Sequence, residues 1–370
     1  MIFAGGGTGG HLIPALAIAD KLKLRLEPLH KAEFIFVGTK RGLEYRIKEK
    51  LGYPLELINI RGMARTLTLS NLLVPFLLIG AIVRSMILMT RFSPDIVIGA
   101  GGYVMGPVLI AAVIMRKRRV IQEQNSYPGV TTRWLASRVD KVFLGFGEAV
   151  KYLGNKKNTI RTGNPIREIV GKIPRDEGRN FFEINRDSKV ILILGGSQGA
   201  AAINKNILRS LSGLPDNYHI IWQTGERDYK EVAAQAGGKV KSRSLFPFTD
   251  RIEMAYSAAD LVIARAGALT LAEIMAAGLP SILIPYPFAA GDHQRKNAES
   301  FRTNGASIVF DDSHLSETNL LAEVVKLFES GQRDKMISAV SAMRDKQKRS
   351  AADLITDEIL KLINIPGSTP

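Results

Sequence analysis

Short runs of apolar residues alternate with helix-length amphipathic stretches along the whole chain, and this alternation limits the fold more than any other feature. The runs include Phe34-Ile35-Phe36-Val37, Ile96-Val97-Ile98, Val120-Ile121 and Val142-Phe143-Leu144. They continue with Val190-Ile191-Leu192-Ile193-Leu194, His219-Ile220-Ile221-Trp222, Leu261-Val262-Ile263 and Ser281-Ile282-Leu283-Ile284. Apolar runs without polar alternation suit strands buried on both faces, and the intervening helices supply the crossovers of parallel sheets. At 370 residues the chain is too long for one ordinary core. The pattern therefore predicts an α/β protein with two Rossmann-like, doubly wound parallel-sheet domains. The boundary is placed at Thr162-Gly163-Asn164-Pro165, where the Asn-Pro step disfavours helix. This gives an N-terminal domain 1–163 and a C-terminal domain 164–345. A last helix within 346–365, with Leu354, Ile355, Ile359, Leu360 and Leu362 on it, is free to pack on either domain, including back on the N-terminal one.

Three glycine loops stand at strand-to-helix junctions. They are Gly5-Gly6-Gly7-Thr8-Gly9-Gly10-His11, Gly99-Ala100-Gly101-Gly102-Tyr103-Val104-Met105-Gly106-Pro107 and Gly195-Gly196-Ser197-Gln198-Gly199-Ala200. Glycine lets the backbone turn sharply and approach a ligand, and a helix that opens there presents free N–H groups to an anion. A single such loop is more often a plain tight turn; three of them in one two-sheet chain point to phosphate-bearing ligands. None ends in Gly-Lys-Ser/Thr, and none has the spaced dinucleotide fingerprint with its distant acid, so ATPase and NAD-dehydrogenase readings lose ground. A fourth cluster, Arg265 to Glu273, follows the 261–263 run. Its Gly267 to Thr270 would open a helix whose amides meet a diphosphate, and Glu273 lies one turn further, within reach of the vicinal hydroxyls of a ribose. The plainer alternative is a first-turn acid that complements the helix dipole. No Asp-x-Asp pair occurs, so helix termini and basic side chains, with Arg167 and Arg265 as candidates, are expected to stabilise a leaving diphosphate without a metal.

Charge divides unevenly. Residues 1–164 carry 24 Lys and Arg against 10 Asp and Glu, whereas the remainder is nearly balanced at 26 against 25. Such a basic half expects an anionic surface. An interleaved aromatic-basic stripe is missing, which argues against nucleic acid. The apolar run Leu72 to Val83, with Leu72, Leu73, Phe76, Leu77 and Ile79 in it and Arg84 after it, is shorter than the roughly 20 residues of a membrane span. It reads as an interfacial helix, a patch for anionic lipid. A second run, Val108 to Met115, ends in Arg116-Lys117-Arg118-Arg119 and reads as a core helix with a solvated basic turn. The opening Met1-Ile2-Phe3-Ala4 lacks the regions of a signal peptide. The chain has no cysteine, which removes disulfides, thiolate metal sites and cysteine nucleophiles.

Taken in order, the three glycine loops, Gln122-Glu123-Gln124-Asn125, Asn164-Pro165-Ile166-Arg167, Arg265–Glu273 and Asp292-His293-Gln294-Arg295-Lys296-Asn297-Ala298 resemble the MurG family of bacterial cell-wall transferases over nearly the whole chain. The resemblance implies a GT-B fold, two Rossmann-like domains around a cleft. It implies transfer of N-acetylglucosamine from UDP-GlcNAc to the muramoyl 4-hydroxyl of undecaprenyl-diphospho-MurNAc-pentapeptide (lipid I), with inversion, giving lipid II for peptidoglycan synthesis. It further implies a peripheral location on the cytoplasmic face of the cell membrane, no cofactor, and partners among cell-wall synthesis proteins. Carried onto these residues, Thr8, Gly9, Gly10 and Asn125 approach the donor sugar and phosphates, and Arg167 and Ser197 meet the diphosphate. Thr249 holds the uracil through its backbone, Ala268, Leu269 and Thr270 hold phosphate, Glu273 holds the ribose, and Gln294 reads sugar hydroxyls. Gly6, Gly7, Gly101, Gly102 and Tyr103 fall on the acceptor diphosphate.

Single displacement needs a base for the acceptor hydroxyl. His11, at the start of a helix beyond the first loop, is one candidate, and Glu123 is its rival. Other GT-B lipid glycosyltransferases and a UDP-GlcNAc 2-epimerase are the competing readings, since they keep the donor loops and change or omit the acceptor.

Overall fold

The structure, a computed structural model, describes residues 1–27, 32–62, 73–154, 156–195 and 200–365. The chain forms two units, Met1–Arg167 completed by the chain from Arg349 onward, and Glu168–Lys348.

The first unit runs β1 (Ile2–Ala4), α1 (Gly9–Leu26), β2 (Ile35–Gly38), α2 (Leu43–Arg46), β3 (Leu55–Leu57), α3 (Val74–Phe92) and β4 (Ile96–Gly99). It continues with α4 (Gly102–Ile114), β5 (Arg118–Glu123), α5 (Val130–Leu135), β6 (Lys141–Leu144) and β7 (Thr159–Arg161). The second unit runs α6 (Arg175–Phe181), β8 (Lys189–Leu194), α7 (Ala201–Ser210), β9 (Tyr218–Gln223), α8 (Tyr229–Ala236), β10 (Leu245–Phe246) and α9 (Ile252–Ala258). Then come β11 (Leu261–Ala264), α10 (Ala268–Ala277), β12 (Ser281–Leu283), α11 (His293–Thr303), β13 (Ser307–Val309), α12 (Leu320–Glu329) and α13 (Gln332–Lys346). The last helix, α14 (Ala351–Leu362), belongs to the first unit.

Each unit holds one parallel sheet. The first has the order β3-β2-β1-β4-β5-β6-β7, the second β10-β9-β8-β11-β12-β13. The strands are apolar on both sides because both sides are covered. In β1, Ile2 and Ala4 enter a core with α3, α4 and α5, while Phe3 enters a core with α1 and α14. In β4, Val97 faces the former and Ile96 and Ile98 the latter. This is the period-2 alternation of a strand with helices on both faces. Strand order reverses direction between β1 and β4 in one sheet and between β8 and β11 in the other. Such switch points leave a crevice beyond the carboxyl ends of the strands, where α/β proteins bind ligands.

Helix α14 is capped by Ser350, whose Oγ accepts from Asp353 N at 3.1 Å. It buries Ile355, Ile359 and Leu360 against the first unit's core. Asp353 pairs with Lys21 of α1 at 2.9 Å, and Asp357 pairs with Arg25 at 3.1 Å.

Two sequence expectations change here. The apolar run expected to end at Val83 is the first half of a 19-residue helix, α3, with a mean hydropathy of 1.6 over its most apolar window, long enough by length and composition to cross a membrane. Arg84 does not end it, because its side chain is exposed and lies 3.6 Å from Glu56. Ala81, Ser85 and Met89 face the core, so one side of α3 is packed against protein. Leu72 lies outside the described residues. The basic quartet is not simply a turn: Arg118 and Arg119 open β5, and Arg119 Nε donates to the Arg138 carbonyl at 2.7 Å.

Candidate active site

Three of the four glycine-bearing clusters stand at the two switch points, and of the remaining one, the third loop, only Gly195 and Ala200 are among the described residues. The first loop follows β1 and the second follows β4; the third follows β8 and the Arg265 cluster follows β11.

In the first loop, Thr8 is extended and caps α1, and the His11 and Leu12 amides return to its carbonyl at 3.2 and 3.1 Å. Gly9 and Gly10 open the helix, so their N–H groups have no acceptor within it, an arrangement that suits an anion. Gly7 has φ +88, a conformation that only glycine adopts at low cost. Its amide is turned inward and donates to Glu44 Oε2 at 2.8 Å. Gly7, expected on the acceptor diphosphate, thus has its amide engaged by protein. Gly6 is likewise packed on protein, since a Cβ there would lie 2.6 Å from the Glu44 carboxyl carbon.

The second loop presses on the first at His11. Gly101 and Gly102 have φ +97 and +76. A Cβ on Gly101 would lie 3.1 Å from His11 Nε2, and one on Gly102 would lie 3.3 Å from Nδ1 and 2.7 Å from the Gly6 carbonyl oxygen. Any larger residue would displace the imidazole. His11 Nδ1 lies 3.3 Å from Thr8 Oγ1. The Tyr103 hydroxyl lies 3.3 Å from Thr39 Oγ1.

Beneath the second loop three carboxamides form a buried ladder. Gln124 Nε2 donates to the Ala100 carbonyl at 2.7 Å and to Gln122 Oε1 at 2.5 Å. Gln122 Nε2 donates to Asn164 Oδ1 at 3.0 Å, and Asn164 Nδ2 donates to the Gln124 carbonyl at 3.0 Å. Every partner is satisfied, the condition for tolerating polar groups in a core. Glu123 is only 4% exposed. Its Oε1 accepts from Asn125 N at 3.1 Å and its Oε2 from Gly129 N at 3.1 Å. Burial pushes its carboxyl above the ordinary range, and hydrogen bonds from Thr132, Asn125 and Gly129 offset this in part. A carboxylate committed to two main-chain amides braces the 124–129 turn and orients Asn125, which is a poor arrangement for a base. Half-buried Arg167 closes the first unit.

In the second unit, Gly267 is extended and caps α10, so Ala268, Leu269 and Thr270 form its first turn. Glu273 is buried, and its Oε2 accepts from the Tyr256 hydroxyl at 3.0 Å. Arg265 is not an uncommitted cation: its NH1 pairs with Asp312 at 2.5 Å and its guanidinium lies over the Tyr286 ring. Gln294, in the first turn of α11, accepts from Tyr286 N at 2.9 Å, which fixes its carboxamide. Thr249 follows β10, and its Oγ1 accepts from Arg251 N at 3.0 Å. Ser197 and its neighbours 196–199 lie outside the described residues. The helix that follows them is tied down by Asn204, which donates to the Thr224 carbonyl at 3.0 Å and accepts from Trp222 Nε1 at 3.0 Å. Among the described residues no cluster of three or more His, Asp or Glu could hold a metal ion.

Two parallel Rossmann-like sheets, each with helices opening at its switch point, place the chain in the GT-B class of nucleotide-sugar transferases. The N-terminal domain of glycosyltransferase family 28 matches residues 1–144 and its C-terminal domain residues 190–355. A UDP-N-acetylglucosamine–N-acetylmuramyl-(pentapeptide) pyrophosphoryl-undecaprenol N-acetylglucosamine transferase from Chlorobaculum tepidum is 40% identical over 98% of this chain and 99% of its own. The protein of that name from Carboxydothermus hydrogenoformans is 40% identical over 90% of each chain. The crystal structure of Acinetobacter baumannii MurG superposes with a TM-score of 0.71 at 28% identity, covering 98% of this chain and 99% of that one. A UDP-N-acetylglucosamine 2-epimerase reaches a TM-score of 0.67 at 16% identity over 100% of this chain and 98% of its own, a likeness of fold alone. The chain belongs to the MurG family within glycosyltransferase family 28.

Proposed function

We propose that the chain transfers N-acetylglucosamine from UDP-GlcNAc to the 4-hydroxyl of the muramoyl sugar of undecaprenyl-diphospho-MurNAc-pentapeptide, with inversion, giving lipid II and UDP. The observation that carries this is the opening of a helix at each switch point, in a chain 40% identical to transferases of that name. The second unit takes UDP: Ala268, Leu269 and Thr270 supply amides to phosphate, Glu273 accepts from the ribose hydroxyls, the backbone at Thr249 pairs with uracil, and Gln294 reads the sugar. In the first unit, the first glycine loop, Gly101, Gly102 and Tyr103 receive the acceptor diphosphate, while Thr8, Gly9, Gly10 and Asn125 also lie toward the donor sugar and its phosphates. Glu123 acts by holding Asn125.

His11 acts as the base. The acceptor O4 attacks the anomeric carbon as its proton passes to the imidazole. The bond from that carbon to the UDP oxygen breaks, and the electron pair leaves with UDP. Open amides at a helix start stabilise that developing charge without reorganising.

The acceptor's lipid calls for membrane docking, and α3 supplies the surface. Leu73, Phe76, Ile79, Val83 and Ile87 are exposed, Phe76 to 74%, at helical spacing along the side opposite the core. Burying one large apolar side chain contributes about 1.5–3 kcal/mol, against about 1 kcal/mol for each basic residue near an anionic surface. Apolar contact therefore dominates, and the basic first unit steers. The chain works as a peripheral protein of the cytoplasmic membrane face.

Incubation with radiolabelled UDP-GlcNAc and a polyprenyl-diphospho-muramoyl acceptor tests the reaction. Label in the lipid phase is expected; free epimerised sugar without lipid label would overturn it in favour of an epimerase.

A further inference from the structure

Glu44 lies outside the residues assigned above, yet it is buried in the first unit and bonded through both its oxygens. It sits in the short helix α2, is 1% exposed, and its two oxygens accept from main-chain amides of two different segments. Oε2 accepts from Gly7 N at 2.8 Å, and Oε1 accepts from Thr39 N at 2.9 Å. The segments are tied again where Leu43 N donates to the Gly7 carbonyl at 3.3 Å. Thr39 in turn lies 3.3 Å, Oγ1 to hydroxyl, from Tyr103 of the second loop. Three glycines surround the carboxylate: a Cβ on Gly6, Gly38 or Gly42 would collide with the Glu44 side chain.

We propose that Glu44 is a positioning residue for transfer, which sets the shape of the first glycine loop and thereby the direction in which its anion-binding amides point. The proposal rests on the reading that this loop receives a diphosphate. A buried carboxylate is costly unless its lone pairs are filled, and here they are filled by the loop itself. By Coulomb's law a negative charge behind an anion site weakens the site, so its presence is not explained by charge. Geometry explains it. By drawing in the Gly7 amide, Glu44 holds Gly7 in its left-handed conformation two residues before Gly9 opens α1, and so sets the course on which the chain enters that first turn. The same carboxylate fixes Thr39, and through it Tyr103, so that one side chain places both loops around His11. It also explains why positions 6, 38 and 42 are glycine without reference to a ligand.

The test uses the full chain with Glu44→Gln, Gly6→Ala and the double variant. Glutamine keeps the size but turns an N–H₂ toward one of the two amides. We expect kcat to fall roughly 10- to 100-fold, the scale of a small displacement at a reacting centre, with KM for UDP-GlcNAc and UDP affinity within about twofold. The Gly7 amide resonance is expected to leave its carboxylate-bonded position while signals elsewhere in the unit stay. Gly6→Ala is expected to reproduce the loss, and the double variant to be less harmful than the product of the two, because both act on one carboxylate. Unchanged kcat in Glu44→Gln with a displaced Gly7 resonance overturns the proposal. So does a loss that moves donor KM, UDP affinity and thermal stability together, as a merely structural role would. Titration of the wild type with a short-chain polyprenyl-diphospho-muramoyl acceptor separates the two levels. If the Gly9 and Gly10 amides do not respond, the anion reading of the loop fails and takes the proposal with it. If they respond while Glu44→Gln keeps full turnover, only the role of Glu44 falls.

Discussion

The hydroxyl of Tyr256 donates to Glu273 Oε2 at 3.0 Å from a side chain that is itself buried, so the carboxylate proposed to hold the ribose is oriented from inside the second unit. Replacing Tyr256 by Phe removes one hydrogen bond to a charged group and leaves the ring in place. The expected result is a rise of roughly 3- to 10-fold in KM for UDP-GlcNAc with kcat within about twofold, the pattern of lost uniform binding. Steady-state kinetics check this; a fall in kcat at constant KM would remove Glu273 from ribose binding.

His11 and Glu123 separate on magnitude. Loss of a general base costs about 10²- to 10⁴-fold, whereas loss of a brace costs less. His11→Ala is expected to lower turnover by at least about 10²-fold, and Glu123→Gln, whose main-chain partners keep one acceptor, to retain roughly a tenth or more of it. Single-turnover rates for the two variants decide the assignment, and the reverse order would make Glu123 the base.

Acid sensitivity of the second unit is predicted at His219. Burial, with Lys241 and Arg179 nearby, pushes this imidazole down from 6.5 to about 4. It lies 2.8 Å, Nε2 to Oγ, from Ser244. The folded state therefore binds fewer protons than the unfolded state between these two values. The stability this group contributes is fully present above pH 6.5 and is lost as pH falls toward 4. Melting temperatures of the wild type and His219→Gln, measured from pH 7 to pH 4, should show the steeper decline in the wild type; parallel curves would refute the linkage.

For α3, serine at Phe76 and Ile79 removes two exposed apolar side chains from the proposed lipid face without touching the buried Ala81, Ser85 and Met89. Binding to anionic vesicles should weaken at least about tenfold, while transfer to a detergent-soluble acceptor stays within about twofold. Sedimentation with vesicles measures the first. The wild type should bind anionic vesicles at low salt and leave them at high salt more readily than it leaves neutral ones; unchanged binding of the variant would place the membrane face elsewhere.

The strands that the amino-acid pattern makes legible are those covered on both faces. Val190 to Leu194 lies within β8, and Ile96 to Ile98 within β4, because every side chain there meets a helix. Edge strands escape such a reading: β3 and β7 are only partly buried and carry Glu56 or Arg161 among their three residues. Strand β5 extends beyond Val120-Ile121 because Gln122 and Glu123 are buried in networks that only the folded chain supplies. Glycine loops announce anion sites, but not which of their amides are already taken. The inward turn of Gly7 is set by Glu44, 37 residues away in sequence. The one local sign of it is an acid that follows closely after Gly38 and Gly42, two glycines whose missing side chains make room for it. Likewise Arg265 reads as an available cation until Asp312 is found beside it.

Because α14 completes the hydrophobic layer that Met1, Phe3, Leu22 and Leu26 begin, residues 168–348 form an insertion within the first unit. A ribosome thus delivers the whole of the second unit before the first can close. During synthesis the nascent α1 must wait with the seat of Ile355, Ile359 and Leu360 unfilled, an apolar surface open to chaperones. A transcript that stops short of residue 349 would yield a protein able to finish the later-made half and unable to finish the earlier one.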